Sequence, residues 1–248
     1  MSGPMLAARG LKKSFGAVVA AENVNIEVPR GQRVSLIGSN GAGKTTFVNM
    51  VTGYLKPDAG QILLDGEDIT RCAPREVTHR GVARSFQIPQ LALELDALDN
   101  MLVAAACSEG VPSVFRRAHA PERIDQAMAL LERFALAGLA RRRCAELPGG
   151  QRKLLDIAMA LTGSPRLLLL DEPTSGVSVE EKFPMMDTIA EALGDSVTVL
   201  FVEHDMDIVT RYAQRVIAFY AGRVIADDPP EAVLADPEVQ RYVTGTAR

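Results

Sequence analysis

Residues 38–45 constrain the fold most strongly, because they read Gly-Ser-Asn-Gly-Ala-Gly-Lys-Thr and fit the pattern Gly-x-x-x-x-Gly-Lys-Ser/Thr. An apolar run precedes them at 34–37, and apolar residues at helical spacing follow them as far as Gly53. This motif, a phosphate-binding P-loop, is therefore predicted to lie in a strand-to-helix turn, which is the context in which such a loop binds phosphate. The alternative interpretation is a glycine-rich turn followed by a chance Lys-Thr pair.

The residue types in this segment suit the phosphates of a nucleotide. Its glycines let backbone N–H groups approach phosphate oxygens, and the helix N-terminus adds the positive end of its dipole. Lys44 offers a point charge to the β- and γ-phosphates, and Thr45 offers a hydroxyl to Mg²⁺. The predicted nucleotide-binding residues here are Gly38, Ser39, Asn40, Gly41, Ala42, Gly43, Lys44, Thr45 and Thr46.

A second strong pattern is the run of four leucines at 167–170, followed by Asp171 and Glu172. An all-apolar run is typical of a strand buried on both faces of a parallel sheet, and ligands bind at the carboxyl ends of such strands. We expect Asp171 to hold Mg²⁺ as a Walker B carboxylate and Glu172 to polarise an attacking water. Two acids that simply open a turn are the alternative.

Several weaker signals accompany these two. Gln87 ends a predicted strand, and Gly149 and Gly150 precede a predicted helix whose N–H groups would suit an anion. His204 follows a buried apolar run and could donate to a γ-phosphate. Phe15 could stack on an adenine ring if it is exposed, although core packing explains an aromatic residue there equally well. Polar surface is the ordinary explanation for Gln87, and a helix cap or surface position is the ordinary explanation for His204.

Composition limits the class of protein. The chain has 248 residues, of which 47% are hydrophobic and 23% charged, so it is predicted to be globular, with one domain or two small ones. Its net charge of −4 gives no support to a nucleic-acid partner. The arginine clusters at 116–117 and 141–143 are interpreted as solvated helix ends.

Cysteine usage and hydropathy predict a cytosolic protein. The 3 cysteines lie far apart without Cys-x-x-Cys spacing, which argues against a zinc site or a disulfide framework and suits a reducing compartment. No apolar run approaches the roughly 18 residues of a membrane helix, and the N-terminus lacks the pattern of a signal segment. We therefore expect the chain to act at a membrane only through a partner.

The order of elements predicts an α/β protein. Residues 5–36 are expected to be mainly β, 56–60 to form a turn, and 91–145 to form a helical insertion with a loop at 108–120. Within the insertion, a helix is expected to begin at Pro121 and to end at Gly138. We expect a single domain with four parts, namely a β subdomain plus the P-loop core at 1–90, a helical subdomain at 91–145, the rest of the core at 146–222, and a hairpin with short helices at 223–248.

Taken in order, the P-loop, Gln87, the segment 147–151, the Asp171-Glu172 pair and His204 resemble the nucleotide-binding subunit of ABC transporters over essentially the whole chain. The resemblance implies a RecA-like P-loop NTPase core with an N-terminal antiparallel β subdomain and an inserted α-helical subdomain. It implies Mg²⁺-dependent hydrolysis of ATP coupled to transport. Gln87 is then similar to the Q-loop glutamine, which meets Mg²⁺ and the transmembrane partner, and His204 to the switch histidine. The remaining nucleotide-binding residues that the resemblance implies are Phe15 and, in the signature motif, Gly149, Gly150 and Gln151.

One branch of this family is closer still. The segments 81–87, 99–103, 203–206 and 236–239 are similar to those of the ATPases of branched-chain amino-acid importers, a branch that urea and amide importers share. The resemblance implies a second ATPase subunit packed head to tail, two transmembrane permeases, an external solute-binding protein, a peripheral position on the cytoplasmic face of the inner (plasma) membrane, and no nucleic acid.

Two other functions stay open. A soluble ABC-type ATPase acting on ribosomes or DNA is one, although a single P-loop, no long inserted arm and an acidic net charge favour the importer. The other is a regulatory subunit without ATPase activity, which Pro148 suggests and the intact acidic pair disfavours.

Two positions depart from the family pattern. Pro148 stands where the signature usually has a serine whose hydroxyl binds the γ-phosphate held by the opposite subunit, so a hydrogen bond worth about 1.5–3 kcal/mol at most is lost. Proline suits a first helical turn, so the fold is expected to tolerate it. Ser178 stands where the D-loop often has Asp or Asn, and we expect weaker communication across the dimer. Lys44, Asp171 and Glu172 are intact, so hydrolysis is still expected.

Overall fold

The computed structural model describes residues 3–108, 120–194 and 196–245. Most of the loop predicted at 108–120, and the arginine pair at 116–117, lie outside the described residues. The strands in the described part are β1 Leu6–Phe15, β2 Val18–Val28, β3 Arg33–Gly38, β4 Ala59–Leu64, β5 Glu67–Asp68, β6 Val82–Ser85, β7 Leu167–Asp171, β8 Thr198–Val202, β9 Arg215–Tyr220 and β10 Arg223–Asp228. The helices are α1 Lys44–Val51, α2 Pro74–His79, α3 Ala97–Ser108, α4 Pro121–Arg133, α5 Gly149–Ala160, α6 Val179–Leu193, α7 Met206–Tyr212, α8 Pro230–Ala235 and α9 Pro237–Val239.

The chain divides into two compact units. The first comprises Met1–Arg80 with Asp195–Arg248, and the second is Gly81–Gly194. The four-part division of one domain stays a prediction. Both units mix strands and helices, and the first contains a separate antiparallel sheet, so the predicted α/β class is confirmed.

The antiparallel sheet of the first unit has the strand order β2-β1-β4-β5. In β2 the side chains of Val24, Ile26 and Val28 are buried and the residues between them are exposed, as their alternating pattern predicts. The turn predicted at 56–60 is partly wrong, because β4 already begins at Ala59. Gly60 belongs to the strand because it crosses the backbone of β1 so closely that an added Cβ would lie 2.5 Å from the carbonyl oxygen of Gly10.

The other strands of the first unit carry the P-loop. Strand β3 pairs in parallel with both β8 and β9, and β10 folds back antiparallel on β9. The five residues of β8 are all buried, as expected of an apolar run in a parallel sheet. The hairpin predicted at Ala221 and Gly222 is confirmed, with φ angles of 47° and 78° that suit a tight two-residue turn.

The second unit combines a parallel strand pair with helices. Strands β6 and β7 pair in register from Val82 opposite Leu167 to Ser85 opposite Leu170, and the leucines of β7 are buried. Helix α3 packs against α4 and α5, and α6 also contacts α4 and α5. In the described part of the chain, no helix is both long enough and apolar enough to cross a membrane.

The predicted end of α4 at Gly138 is wrong. The helix stops at Arg133, and Ala135 takes up a left-handed conformation with φ of 56°. The N–H of Leu136 donates to the carbonyl of Leu131 at 2.7 Å, and the N–H of Ala135 donates to Glu132 at 3.0 Å. This pair of bonds satisfies the last helical carbonyls in the manner of a Schellman motif, with alanine where glycine is usual. Gly138 instead lies in a short 3₁₀ turn, Ala137–Leu139.

Candidate functional site

The predicted strand-to-helix turn is present in the first unit. Strand β3 ends at Gly38, and α1 begins at Lys44. The Lys44 side chain is buried, and its Nζ donates to the carbonyls of Gly38 at 2.6 Å and Ser39 at 3.1 Å. The ammonium group therefore folds back over the loop. A phosphate group placed within the loop would meet this positive charge.

The start of α1 supplies backbone donors. The first intrahelical hydrogen bond runs from the N–H of Phe47 to the carbonyl of Gly43 at 2.9 Å. The N–H groups of Thr45 and Thr46 precede it, so they have no partner within the helix and lie at the positive end of its dipole. The Thr45 side chain is exposed, which leaves its hydroxyl accessible to a metal ion.

Glycine is required at different points of the loop for different reasons. At Gly38 and Gly43 an added Cβ would lie 2.5 Å from the carbonyl oxygens of Phe219 and Ala20, respectively, so neighbouring backbone excludes a side chain. At Gly41 nothing lies within 4 Å of that position, although φ is 79°. The open side of the cradle is therefore at Gly41, and this geometry fits an anion held by backbone donors.

The C-terminal hairpin braces the loop, a support that the sequence did not reveal. The N–H of Gly222 donates to the carbonyl of Ala42 at 2.9 Å, and the N–H of Glu22 donates to the carbonyl of Gly222 at 2.8 Å. The Cα of Gly222 also lies 3.4 Å from the place where a Cβ on Gly43 would be. Nothing in the local sequence of residues 221–222 signals this contact, because its partner lies about 180 residues earlier in the chain.

Phe15 ends β1 with 52% of its surface exposed, so the core-packing alternative does not hold. The Nζ of Lys13 lies 5.6 Å from its ring centroid. Asp58 fixes this strand end, because its carboxylate accepts from the backbone N–H of Ser14 at 2.8 Å and from Lys13 Nζ at 2.6 Å. These bonds hold the pKa of the Asp58 carboxyl below its usual range, the Lys13 bond more strongly than the Ser14 bond. An exposed aromatic ring is thus presented on an anchored strand end.

His204 lies in the first unit, directly after β8. Because Val202 pairs with Leu36, His204 and the P-loop follow the carboxyl ends of adjacent parallel strands. The Glu203 carboxylate accepts from the backbone N–H of His204 at 3.0 Å, which shapes the turn. The His204 side chain is exposed, and its position at this edge fits a donor to a phosphate.

In the second unit the acidic pair lies at the end of β7, as predicted. Arg84 Nη2 lies 2.6 Å from Asp171 Oδ2, and both side chains are largely buried. Gln87 Nε2 donates to Glu172 Oε2 at 2.6 Å, so Gln87 and Glu172 are brought together across 85 residues of sequence. The predicted strand ending at Gln87 is too long, because β6 stops at Ser85. The amide can therefore turn towards Glu172 from the loop that follows β6.

The backbone at Glu172, at the end of β7, has an unusual conformation. Glu172 has φ of 48°, the left-handed region that a residue with a Cβ rarely adopts. Such strain often accumulates where a side chain must be aimed at a ligand.

Ser178 directly precedes α6 as its N-terminal flanking residue, and its hydroxyl donates to Glu181 at 3.1 Å. The Ser178 hydroxyl, at the position where the family pattern differs, therefore already makes a hydrogen bond within the first turn of α6.

The expectation that Gly149 and Gly150 precede a helix is wrong, because they are its first two residues. Pro148 occupies the N-terminal flanking position, with φ of −54° and ψ of 157°, and its carbonyl accepts the first helical bond from the N–H of Arg152 at 3.0 Å. The missing N–H of proline costs the helix nothing there. Among the described residues, Gln151 Oε1 is one of the buried side-chain atoms without a hydrogen-bond partner.

Three further residues near this site were not predicted from the sequence, namely Arg84, Lys153 and Asp156. Arg84 contacts Asp171, and Lys153 donates to carbonyl oxygens near Gln87 and Asp171. Burial raises the pKa of the Asp156 carboxyl above its usual range, although a hydrogen bond from Ser85 opposes this. Arg84 could have been found by assuming that the two predicted strands pair in parallel, because this pairing puts residue 84 near the end of β7.

The donors predicted for Mg²⁺ are Thr45, Gln87 and Asp171, a hydroxyl, an amide and a carboxylate. These are hard oxygen donors, the kind that Mg²⁺ prefers, and one carboxylate suffices where substrate phosphates and waters complete the shell. Within the described ranges no group of three or more His, Cys, Asp or Glu side chains could hold a metal ion. Each of the three groups is, by its own chemistry, able to bind Mg²⁺ alongside the phosphates of a nucleotide.

Comparisons with known proteins point to one family, and the relatives found by sequence cover nearly the whole chain. The profile of a family described as "ABC transporter" matches residues 21–175. The chain is 37% identical to the high-affinity branched-chain amino acid transport ATP-binding protein LivG of Escherichia coli K12, with 100% of both chains covered. It is 34% identical to the probable branched-chain amino acid transport ATP-binding protein LivG of Methanocaldococcus jannaschii, with 97% of both covered.

Solved structures give the same picture. The crystal structure of the ADP conformation of an ATP-binding cassette of an ABC transporter has a TM-score of 0.87 and 33% identity, covering 96% of this chain and 97% of that one. A dimeric ATP-binding cassette in a post-hydrolysis state, bound to ADP and Pi, has a TM-score of 0.77 and 26% identity, covering 91% and 99%. Both likenesses extend over nearly all of this chain.

Proposed function

The chain belongs to the ABC transporter family, and we propose that it binds and hydrolyses ATP to power the import of branched-chain amino acids or a related small polar solute. The observation that carries the proposal is the P-loop, whose buried Lys44 folds back over a glycine cradle at the N-terminus of α1. The relatives named above are transport ATP-binding proteins, and none of them is described as acting on ribosomes or DNA.

The first unit supplies the groups that bind the nucleotide itself. The P-loop N–H groups and Lys44 bind the phosphates, Phe15 stacks on the adenine ring, and His204 donates to the γ-phosphate. The side chains that would supply oxygen ligands for Mg²⁺ are Thr45, Gln87 and Asp171. When bound, Mg²⁺ would neutralise charge on the β- and γ-phosphates.

The second unit supplies the acid that acts on water during hydrolysis. Glu172 orients and polarises the attacking water, and the hydrogen bond from Gln87 fixes the direction of that carboxylate. Lys44 and His204 stabilise the charge that develops on the transferring phosphoryl group. Lys44 and His204 thus act both in binding and in transfer, whereas Glu172 acts only during transfer.

We propose that two ATPase subunits pack head to tail, so that the Gly149, Gly150 and Gln151 segment of one completes the ATP site of the other. ATP binding then closes the dimer and hydrolysis reopens it, because a ligand shifts such an equilibrium only through its different affinity for the two states. Two transmembrane permeases, and indirectly an external solute-binding protein, are the further partners, at the cytoplasmic face of the inner membrane. No nucleic acid takes part.

The variant Glu172→Gln tests the chemistry. It keeps the shape and the hydrogen-bonding capacity of the side chain but removes the charge that polarises water. We expect ATP to bind with unchanged affinity, turnover to stop, and the ATP-bound dimer to accumulate in size-exclusion chromatography with light scattering. Lys44→Ala serves as the contrasting control, because it should lose ATP affinity itself. Hydrolysis by Glu172→Gln at the wild-type rate would remove Glu172 from its proposed role.

The partner assignment needs a separate experiment. The chain, purified by affinity tag from detergent-solubilised membranes of its own cells, should carry two apolar permeases and a second ATPase, identified by mass spectrometry. Recovery of ribosomal or DNA-associated proteins alone, with nothing from the membrane, would overturn the transport function and leave only the ATPase.

A further inference from the structure

Helix α5, which begins at Gly149, carries a buried lysine that contacts the loop holding Gln87. Lys153 is 3% exposed. Its Nζ donates to the carbonyl oxygens of Phe86 at 2.8 Å and Gln87 at 2.9 Å, and lies 3.4 Å from the carbonyl oxygen of Asp171. One ammonium group therefore contacts the backbone of both the loop after β6 and the acidic end of β7.

A buried acid on the same helix contacts the two ends of that loop. Asp156 is 7% exposed, and it accepts a hydrogen bond from Ser85 Oγ at 2.6 Å and from the backbone N–H of Gln90 at 2.9 Å. Lys153 and Asp156 are three residues apart, so they share one face of α5. Helix α5 therefore holds residues 85–90 at both ends and in the middle.

Packing alone does not explain these two side chains. Burying a charged group is costly, and replacing buried ionic groups by apolar residues of similar size is often neutral or stabilising. The Lys153 ammonium donates instead to backbone carbonyls of the segments that carry Gln87, Asp171 and Glu172. The contacts fix the positions of these segments rather than fill space.

We propose that Lys153 is a positioning residue, which together with Asp156 ties residues 85–90 to the helix that begins at Gly149 and Gly150. The proposal rests on the proposed function and deepens it. By fixing the backbone at Gln87 and Asp171, Lys153 keeps the Gln87 amide and the Glu172 carboxylate in register at 2.6 Å. Lys153 lies about 6 Å along the helix axis from Gly149. A displacement of Gln87 is therefore transmitted to the signature glycines over a single helical turn.

Steady-state kinetics test the positioning role. Lys153→Met keeps the length of the side chain and removes its donors. We expect kcat for ATP hydrolysis to fall about tenfold or more, since small misplacements of catalytic groups have effects of this order, with KM for ATP little changed because the P-loop is untouched. Lys153→Arg keeps the charge and the donors, and should recover most of kcat.

A matched control separates positioning from loss of stability. Leu155→Ala removes a fully buried side chain from the same helix. It should lower Tm by creating a cavity, yet leave kcat of the folded protein near wild type. If Lys153→Met has wild-type kcat, or if its kcat falls no further than that of Leu155→Ala, the positioning role is overturned.

Hydrogen exchange of the nucleotide-free chain provides a readout that does not depend on ATPase activity. The backbone amides of Phe86, Gln87, Ile88 and Gln90 should exchange at least several-fold faster in Lys153→Met than in the wild type, and those of α5 should not. Ser85→Ala, which loosens the same loop through Asp156, should also speed exchange at Gln90. Wild-type exchange in both variants would overturn the proposal. A wild-type chain that does not hydrolyse ATP would instead overturn the proposed function, while the exchange comparison still decides whether Lys153 holds the loop.

Discussion

The glycines of the P-loop illustrate how single residues set the site. Gly41 faces open space, so its requirement is conformational, and its φ of 79° is costly for any residue with a Cβ. Gly43 has φ of 111° and in addition lies against the carbonyl oxygen of Ala20. The first glycine leaves room for a ligand, and the second lets the loop rest on the β subdomain strand β2.

Alanine substitutions should separate these two requirements. Gly41→Ala is expected to cost about 1 kcal/mol of unfolding free energy, from backbone strain alone. Gly43→Ala should cost at least about twice as much, because the backbone near Ala20 must also move. Urea unfolding monitored by circular dichroism measures both changes. Equal losses of stability in the two variants would show that the contact with Ala20 is relaxed at little cost.

Glu172 and Asp171 show a second feature at the residue scale. Each acid has a basic or amide partner from residues 84–87, namely Arg84 for Asp171 and Gln87 for Glu172. Two adjacent carboxylates would repel each other, and these partners hold the two side chains in separate hydrogen bonds. The strained backbone at Glu172 is supported by the same contacts.

At the scale of elements, the end of β1 depends on one acid from the turn before β4. Asp58 holds Lys13 and the backbone of Ser14, and therefore the strand end that presents Phe15. Its pKa is lowered by these bonds, so its ionised form stabilises the fold. This contribution is complete above the unfolded pKa of about 3.9 and is lost as the pH falls through the lower pKa of the folded state.

The variant Asp58→Asn should remove this pH dependence. The difference in Tm between the wild type and the variant is expected to stay constant from about pH 7 to about pH 5, and to shrink as the pH falls below about 4. Differential scanning calorimetry across this range measures it. A difference that grew towards low pH would mean that the folded pKa of Asp58 is raised instead.

At the scale of the whole molecule, the proposed dimer depends on what the signature segment can offer its partner. Pro148 provides no hydroxyl, but it flanks α5 without disturbing it, and Gly149 and Gly150 stand at the exposed helix start. The segment thus keeps its backbone donors and the helix dipole, while one hydrogen bond to a charged group is absent.

Restoring the hydroxyl should strengthen the closed dimer. In the Glu172→Gln background with ATP, Pro148→Ser is expected to lower the dimer dissociation constant at least about tenfold, since a hydrogen bond to a charged group is worth about 1.5–3 kcal/mol. Pro148→Ala is the matched control, because it removes the ring without adding a hydroxyl. Analytical ultracentrifugation measures the constants. Equal values for the serine and alanine variants would exclude a contribution from the hydroxyl.

The sequence by itself determined the elements whose causes are local. The strand-loop-helix around Lys44, the leucine strand β7 and the hairpin at Ala221 follow from apolar runs, turn residues and period, which act over a few positions. Local signals misplaced the end of α4, where Ala135 takes the left-handed position that glycine usually fills. They also misplaced the start of β4, where Gly60 lies so close to the backbone of β1 that a side chain would not fit.

Only the tertiary structure decided which side chains meet. Arg84 reaches Asp171 across 87 residues, and Lys153 reaches Phe86 across 67. Such pairs depend on strand register and on how a helix packs, and no short stretch of sequence encodes either. The sequence therefore identified the groups that carry the proposed chemistry. The fold determined the neighbours that aim Glu172 and brace the P-loop, because a contact between distant residues is a property of packing and not of local pattern.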